Sequence, residues 1–182
     1  SRIGLGLAAI GRPGYITLGR AADLGRDRSV GAMRDRCHAL LDAAWESGVR
    51  YVDAARSYGL AESFIASWLE RRDISRRDLT VGSKWGYTYT ADWRTGAEVN
   101  EVKDLSLAAL RRQLRESRDV LGSWLCLYQV HSVTLESGVL ADAAVLRELA
   151  RIRDDGLATG ISVSGPRQAE AIRAALEVRV DG

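Results

Sequence analysis

The sequence predicts an α/β fold of the (β/α)8 barrel type, of which this chain contains about the first five to six β/α units. First, apolar strand-like segments alternate with segments of helical period, which implies parallel strands joined by right-handed crossovers. Second, the predicted strands have one tight, partly polar side and one apolar side, whereas an open doubly wound sheet is apolar on both. Third, polar side chains stand at the carboxyl ends of the strands, where barrels carry their sites.

The composition is that of one soluble globular domain. The chain has 182 residues, 46% hydrophobic and 27% charged, so we expect a single partial barrel domain over residues 1–182. The net charge of +2 predicts small-molecule partners, with no nucleic acid and no anionic membrane surface. No segment has the apolar length of a membrane span. The isolated cysteines, Cys37 and Cys126, and the two histidines form no disulfide or metal motif, so we expect a reducing, cytoplasmic location.

The predicted strands are short apolar segments bounded by glycine, proline or polar residues. They cover residues 3–10, 49–55, 79–85, 125–131 and 158–163, and a sixth begins at 178–182. Residues 4–9 match the loose dinucleotide-binding pattern GxGxxA, but that pattern requires a strand before the glycines and a helix after them. A Gly-Arg-Pro-Gly loop follows here, so we interpret this segment as an ordinary barrel strand.

The predicted helices have apolar residues three and four positions apart. They cover residues 30–47, 61–72, 104–121, 141–155 and 166–177. Ser29 is placed to cap the first helix and Gly48 to end it, while Pro166 suits the first turn of the last. His38 falls beside the apolar stripe of the first helix, and we interpret it as structural.

The segment from residue 49 to residue 62 organises the predicted site. A buried strand ends in Asp53, a short loop presents Tyr58, and a glycine turn leads into the second helix. Lys84 stands at the end of the third strand and His131 at the end of the fourth. Because the carboxyl ends of parallel strands meet at one edge of the sheet, we expect these four polar groups to converge.

Three motifs in this order resemble the catalytic motifs of the aldo-keto reductases. They are Asp53-Ala54-Ala55-Arg56-Ser57-Tyr58-Gly59-Leu60-Ala61-Glu62, Ser83-Lys84-Trp85-Gly86 and Tyr128-Gln129-Val130-His131-Ser132. The resemblance covers essentially the whole chain. It implies a (β/α)8 barrel that uses NADPH or NADH without a Rossmann domain, with a catalytic tetrad of Asp53, Tyr58, Lys84 and His131. Glu62 also matches a motif position, and we interpret it as favourable charge at a helix start.

These residue types fit the reduction of a carbonyl by hydride transfer. The negative charge that forms on oxygen needs a proton donor, and a tyrosine, with a reference pKa of about 10, can be that donor. A nearby ammonium favours the phenolate, which is the role we expect for Lys84, and Asp53 keeps that lysine protonated. His131, as a neutral donor, would orient the substrate oxygen without adding a second cation beside Lys84.

The aromatic residues after the third strand predict part of a substrate pocket, and the resemblance implies part of a cofactor site. Trp85 and Tyr87, with the aromatic loop after the third strand, are expected to form a pocket wall for an apolar or aromatic carbonyl compound or a sugar ring. Ser164 and Asp53 are expected to contact the nicotinamide, although Gly165 stands where the family often has an asparagine. The family's basic residues for the adenosine phosphate would lie beyond this chain, so NADPH is favoured over NADH by resemblance alone.

Two alternatives to a complete reductase stay open. A closed barrel usually needs about 250 residues, so we expect the N-terminal part of a reductase, with exposed sheet edges that would permit oligomerisation. The first alternative is a truncated barrel that acts as a non-catalytic binding or regulatory subunit, with Asp53 and Lys84 as a structural ion pair. The second is another barrel enzyme that uses Lys84 as a Schiff-base amine.

Overall fold

A computed structural model describes residues 2–14 and 24–178 of the chain. The strands within these ranges are β1 (Leu5–Gly6), β2 (Tyr51–Asp53), β3 (Thr80–Trp85), β4 (Tyr87–Tyr89), β5 (Glu101–Lys103), β6 (Leu125–Val133) and β7 (Ala158–Val163). The α-helices described over their whole length are α1 (Val30–Glu46), α2 (Ala61–Glu70), α3 (Leu107–Leu121), α4 (Ala143–Asp154) and α5 (Gln168–Glu177). Strands and helices therefore alternate along most of the chain.

The main sheet has five parallel strands in the order β1-β2-β3-β6-β7. Each strand thus lies beside the next main-sheet strand in the chain, and the order never reverses. A doubly wound sheet reverses its strand order at a switch point, whereas a barrel adds its strands in succession. The predicted α/β fold, with parallel β/α units of the barrel type, is confirmed.

A two-stranded antiparallel hairpin follows directly after β3. In this hairpin Tyr87 of β4 lies opposite Lys103 of β5, and Tyr89 lies opposite Glu101. The sequence prediction of an irregular aromatic loop was wrong for these two strands. Each strand has only three residues, too few for a two-residue alternation to be recognised in the sequence.

The first strand is shorter than predicted. Leu5 and Gly6 pair with β2, and the Leu7 N–H still donates to the Asp53 carbonyl oxygen at 2.9 Å. The chain then turns, because the Gly11 N–H donates to the Leu7 carbonyl oxygen at 3.0 Å. No helix N-terminus follows the glycines of this segment before residue 14, so the GxGxxA pattern does not form a dinucleotide-binding turn. The predicted start of a sixth strand falls largely on residues 179–182, which lie outside the described ranges.

The two sides of the sheet differ as the residue alternation predicts. On the polar side, the Tyr51 hydroxyl donates to Asp53 Oδ1 at 3.1 Å, and a Cβ added to Gly82 would lie 2.7 Å from that hydroxyl. Glycine is therefore required where β3 passes the Tyr51 ring. The opposite side is apolar and packs against the helices, and its fully buried strand residues include Val81, Trp85 and Tyr128.

Polar caps fix where several helices begin. The Ser29 hydroxyl accepts a hydrogen bond from the Ala32 N–H at the start of α1, and Asp142 accepts from two N–H groups at the start of α4. Gly48, with a φ of 82°, ends α1 as predicted. Among the described residues, no helix is both long enough and apolar enough to cross a membrane.

Candidate active site

A buried ion pair joins the ends of β2 and β3. Lys84 Nζ forms a salt bridge with Asp53 Oδ2 and donates a second hydrogen bond to the Ala54 carbonyl oxygen at 2.9 Å. The Lys84 side chain is only 7% exposed, so its charge needs these partners to offset the loss of hydration. The residue alternation of the two strands brings the carboxylate and the ammonium to the same side of the sheet.

Tyr58 connects this ion pair to His131. The Lys84 ammonium lies 4.9 Å from the centre of the Tyr58 ring, and the Tyr58 hydroxyl lies 3.2 Å from His131 Nε2. The two rings meet edge to face, with centroids 5.4 Å apart. The structure thus brings together all four side chains that the motifs single out, in one chain of contacts. Their catalytic roles stay predictions.

Burial sets the charge states of the site. It lowers the pKa of Lys84, and the Asp53 carboxylate acts in the opposite direction. Burial, and after it the nearby cations Lys84, Lys103 and Arg12, lower the pKa of His131 from 6.5 to about 3. His131 is therefore a neutral imidazole across the physiological range, as the predicted donor role requires.

The low pKa of His131 predicts a pH-dependent contribution to stability. Between about pH 3 and 6.5 the unfolded chain binds a proton at this residue and the folded chain does not, so the free energy of unfolding should fall as the pH falls through this window. Above about pH 6.5 the contribution is constant. When the pH is lowered from about 7 to about 5, the free energy of unfolding of wild type should fall by about 2 kcal/mol more than that of His131→Gln, as measured by unfolding in urea.

A matched histidine makes this measurement specific. The pKa of His38 is also lowered, chiefly by burial. Because wild type and His131→Gln both contain His38, its contribution cancels when the two proteins are compared. The prediction of a structural His38 agrees with its contacts, because its ring nitrogens meet Ser67, the Phe64 carbonyl oxygen and Arg71. Equal losses in wild type and His131→Gln would contradict the depressed pKa of His131.

The remaining predicted site residues lie at three different places. Tyr87 contacts the site, because its ring centroid is 5.0 Å from that of His131. Ser164 follows β7 and its hydroxyl donates to the Ser132 carbonyl oxygen over a long 3.4 Å. Trp85, however, is fully buried in the apolar core. It follows Lys84 directly on β3 and so faces the opposite side, which corrects its prediction as a pocket wall.

Arg12 is a contributor to the site that the sequence analysis missed. Its side chain is 2% exposed, and Nη1 donates to the Ser57 carbonyl oxygen at 2.9 Å and to Glu101 Oε2 at 2.8 Å. Its guanidinium also lies 5.7 Å from the centre of the Tyr58 ring. No pattern in the glycine-rich loop that contains Arg12 signalled these contacts, which join segments 45 and 89 residues apart.

A second buried network lies behind the site. Glu62 forms a salt bridge with Arg56 and accepts hydrogen bonds from the hydroxyls of Ser83, at 2.5 Å, and Ser117, at 2.7 Å. Glu62 does stand in the first turn of α2, but it is almost fully buried. Its interpretation as favourable charge at a helix start was therefore too weak, because the carboxylate ties α2 to β3 and α3.

The arrangement supplies hydrogen-bond donors from Tyr58, Lys84 and His131. Among residues 2–14 and 24–178, no group of three or more His, Cys, Asp or Glu side chains is placed to hold a metal ion. The Tyr58 hydroxyl and His131 Nε2 are close enough to meet one oxygen atom between them, beside a paired ammonium. These features define a barrel protein whose site can donate protons to a substrate oxygen.

Comparison with known proteins identifies the family. The sequence profile described as the Aldo/keto reductase family matches residues 2–181, and the chain belongs to this family. D-threo-aldose 1-dehydrogenase from a Pseudomonas species is 24% identical over 163 residues, which are 81% of this chain and 49% of that protein. This chain therefore spans about half the length of that relative.

Solved structures agree on the fold. Glycerol dehydrogenase from Gluconobacter oxydans superimposes with a TM-score of 0.65 and 23% identity, covering 98% of this chain and 49% of that one. An aldo-keto reductase from Klebsiella pneumoniae, solved in complex with NADPH, gives a TM-score of 0.58 at 19% identity. The match covers 93% of this chain and 48% of that one. At these identities the structures establish the shared architecture only.

Proposed function

We propose that the protein reduces an aldehyde or ketone carbonyl, or oxidises the corresponding alcohol, by hydride transfer with a nicotinamide cofactor. The observation that carries the proposal is the continuous chain of contacts from Asp53 through Lys84 and Tyr58 to His131. Membership of the aldo/keto reductase family and the similarity to a named dehydrogenase support it.

The donor set fits a nicotinamide cofactor. Hydride addition leaves charge on a carbonyl oxygen, and two hydrogen-bonding groups 3.2 Å apart, the Tyr58 hydroxyl and His131 Nε2, suit one such oxygen. We propose that Ser164 and Asp53 contact the nicotinamide, since the weak 3.4 Å bond of the Ser164 hydroxyl is easily exchanged. The bound cofactor would supply the hydride, and we propose NADPH because a structural relative was solved with it.

Tyr58 is the proton donor in this proposal. As charge develops on the substrate oxygen, its hydroxyl transfers a proton to that oxygen and becomes a phenolate. The Lys84 ammonium, 4.9 Å from the Tyr58 ring centre, stabilises the phenolate, and Asp53 in turn keeps Lys84 charged against the effect of burial. In the oxidation direction the phenolate takes the proton back from the alcohol.

His131 orients the oxygen. Its Nδ1 is buried without a hydrogen-bond partner among the described residues, so we assign the proton to Nε2, which leaves only an acceptor unsatisfied at Nδ1. Nε2–H then points towards Tyr58 and the proposed position of the substrate oxygen. A neutral donor there stabilises the developing charge without repelling Lys84.

A carbonyl panel tests the proposed function. The protein should consume NADPH in the presence of short aldehydes, aromatic aldehydes or sugars, measured by the loss of NADPH absorbance, and should quench or enhance NADPH fluorescence on binding. If no compound caused NADPH consumption and NADPH fluorescence did not change, the proposal would be contradicted and the non-catalytic alternative favoured. Trapping of Lys84 by borohydride with a carbonyl substrate would instead favour Schiff-base chemistry.

We also propose the setting in which this activity operates. Residues 1–182 would form part of one barrel domain with a small-molecule carbonyl substrate as its partner. Both cysteines are free, and burial raises the pKa of the Cys37 thiol to about 12, which makes it unreactive. Free thiols accord with a reducing, cytoplasmic location. Oligomerisation stays a prediction.

A further inference from the structure

Among the described residues, three cations lower the pKa of His131, and two of these three are paired with carboxylates. Lys84 pairs with Asp53, and Arg12 pairs with Glu101. Lys103 is the third cation, and within the described ranges no carboxylate lies within salt-bridge distance of it. Of these three described cations, Lys103 therefore carries a positive charge without a carboxylate partner, and its side chain is exposed.

Lys103 is connected to the site through Tyr87 and Ser132. Its ammonium lies 5.4 Å from the centre of the Tyr87 ring, and that ring contacts the His131 ring at 5.0 Å. Lys103 Nζ also donates to the carbonyl oxygen of Ser132 at 2.9 Å, and Ser132 directly follows His131. Consistent with this position, the charge of Lys103 contributes to the low pKa of His131.

The hairpin that carries Lys103 is held in place. Glu101 and Lys103 are two residues apart on β5 and so point to the same side, where Glu101 meets the buried Arg12. At the start of the hairpin, Gln113 accepts a hydrogen bond from the Gly86 N–H at 2.8 Å and donates one to the Tyr87 carbonyl oxygen at 3.0 Å. These contacts fix both strands, so the Lys103 ammonium has a defined place at the rim.

We propose that Lys103 forms a subsite for an anionic group on the carbonyl substrate, a carboxylate or a phosphate a few atoms from the reacting carbon. An ammonium has three donors, and among the described residues Lys103 uses one of them, in its hydrogen bond to the Ser132 carbonyl oxygen. The remaining donors and the unbalanced charge would select substrates whose far end is negative. This inference rests on the proposed carbonyl reduction, and it names the substrate class of that reaction.

Matched pairs of aldehydes test the subsite. Succinic semialdehyde and butanal have the same chain length and differ in one carboxylate, and glyceraldehyde 3-phosphate and glyceraldehyde differ in one phosphate. Wild type should favour the anionic member of at least one pair in kcat/KM. Lys103→Met should reduce kcat/KM for that member about 5- to 10-fold while leaving the neutral member nearly unchanged. Lys103→Arg should retain the preference, and added salt should weaken it.

Two controls separate the subsite from other effects. Arg115, an exposed residue of α3, gives a variant with the same charge change, and Arg115→Met should leave the substrate ratio unchanged. NADPH affinity, followed by fluorescence, should be the same in wild type and Lys103→Met. The subsite would be overturned if Lys103→Met lowered kcat/KM by the same factor for the anionic and the neutral aldehyde, or if it weakened NADPH binding. If butanal is turned over but Lys103→Met has the same ratio of anionic to neutral kcat/KM as wild type, the subsite alone is overturned. If no carbonyl is turned over at all, the proposed function is overturned together with the subsite.

Discussion

Replacing Tyr58 with phenylalanine is expected to lower kcat for carbonyl reduction by about 100- to 10,000-fold, the usual contribution of a positioned acid or base. The substitution removes one oxygen atom and keeps the ring that lies against Lys84 and meets His131 edge to face. The substrate oxygen would keep His131 as a hydrogen-bond donor but lose its proton source. Steady-state rates with NADPH measure the change, and a near-equal KM would show that the loss lies in the reaction step.

Tyr87→Phe is the matched control for this prediction. The Tyr87 ring also contacts His131, and no hydrogen bond of the Tyr87 hydroxyl is found among the described residues. Its loss should therefore change kcat only a few-fold. Unchanged binding of NADPH and an unchanged midpoint of urea unfolding would show that both variants are folded. Full activity of Tyr58→Phe would contradict the assignment of Tyr58 as the proton donor.

The cluster of Asp53, Tyr58, Lys84 and His131 is the part of the structure that could be predicted from the sequence. Strands β2, β3 and β6 follow from short apolar segments and end within two residues of the predicted positions. Strand alternation then assigns Asp53 and Lys84 to one side of the sheet. The same alternation also predicts where Trp85 points, since it neighbours Lys84. The pocket prediction for Trp85 failed because it grouped Trp85 with the aromatic residues of the following loop and ignored the alternation of side chains along β3.

The contacts of Arg12, the hairpin and Glu62, which support the site, could not be predicted from the sequence in this way. Arg12 meets residues 45 and 89 positions away, and such pairings depend on how whole segments pack rather than on any local periodicity. The hairpin was missed because three-residue strands carry almost no alternation. For Glu62, the motif position signalled importance, but only the packing of α2 on β3 and α3 shows that this carboxylate is buried among hydroxyls.

The buried network at Glu62 leads to the largest expected effect on stability. Glu62→Ala should lower the free energy of unfolding by about 3 to 5 kcal/mol, because it removes one partner of a buried salt bridge and leaves the Ser83 and Ser117 hydroxyls without their acceptor. Unfolding in urea, followed by tryptophan fluorescence, measures the loss. A reduced midpoint with an unchanged dependence on urea would indicate that the folded state alone is affected.

Glu116 offers a control on the same arginine. Arg56 also forms a salt bridge with Glu116 at 3.0 Å, but the Glu116 side chain is 40% exposed and that of Glu62 only 3%. Glu116→Ala should therefore cost about 1 kcal/mol or less, as exposed ion pairs usually do. Similar losses for the two variants would mean that the charge of Arg56 matters and the burial of its partner does not. A large difference would locate the stabilisation in the desolvated carboxylate, which directly supports Ser83, the neighbour of Lys84 on β3.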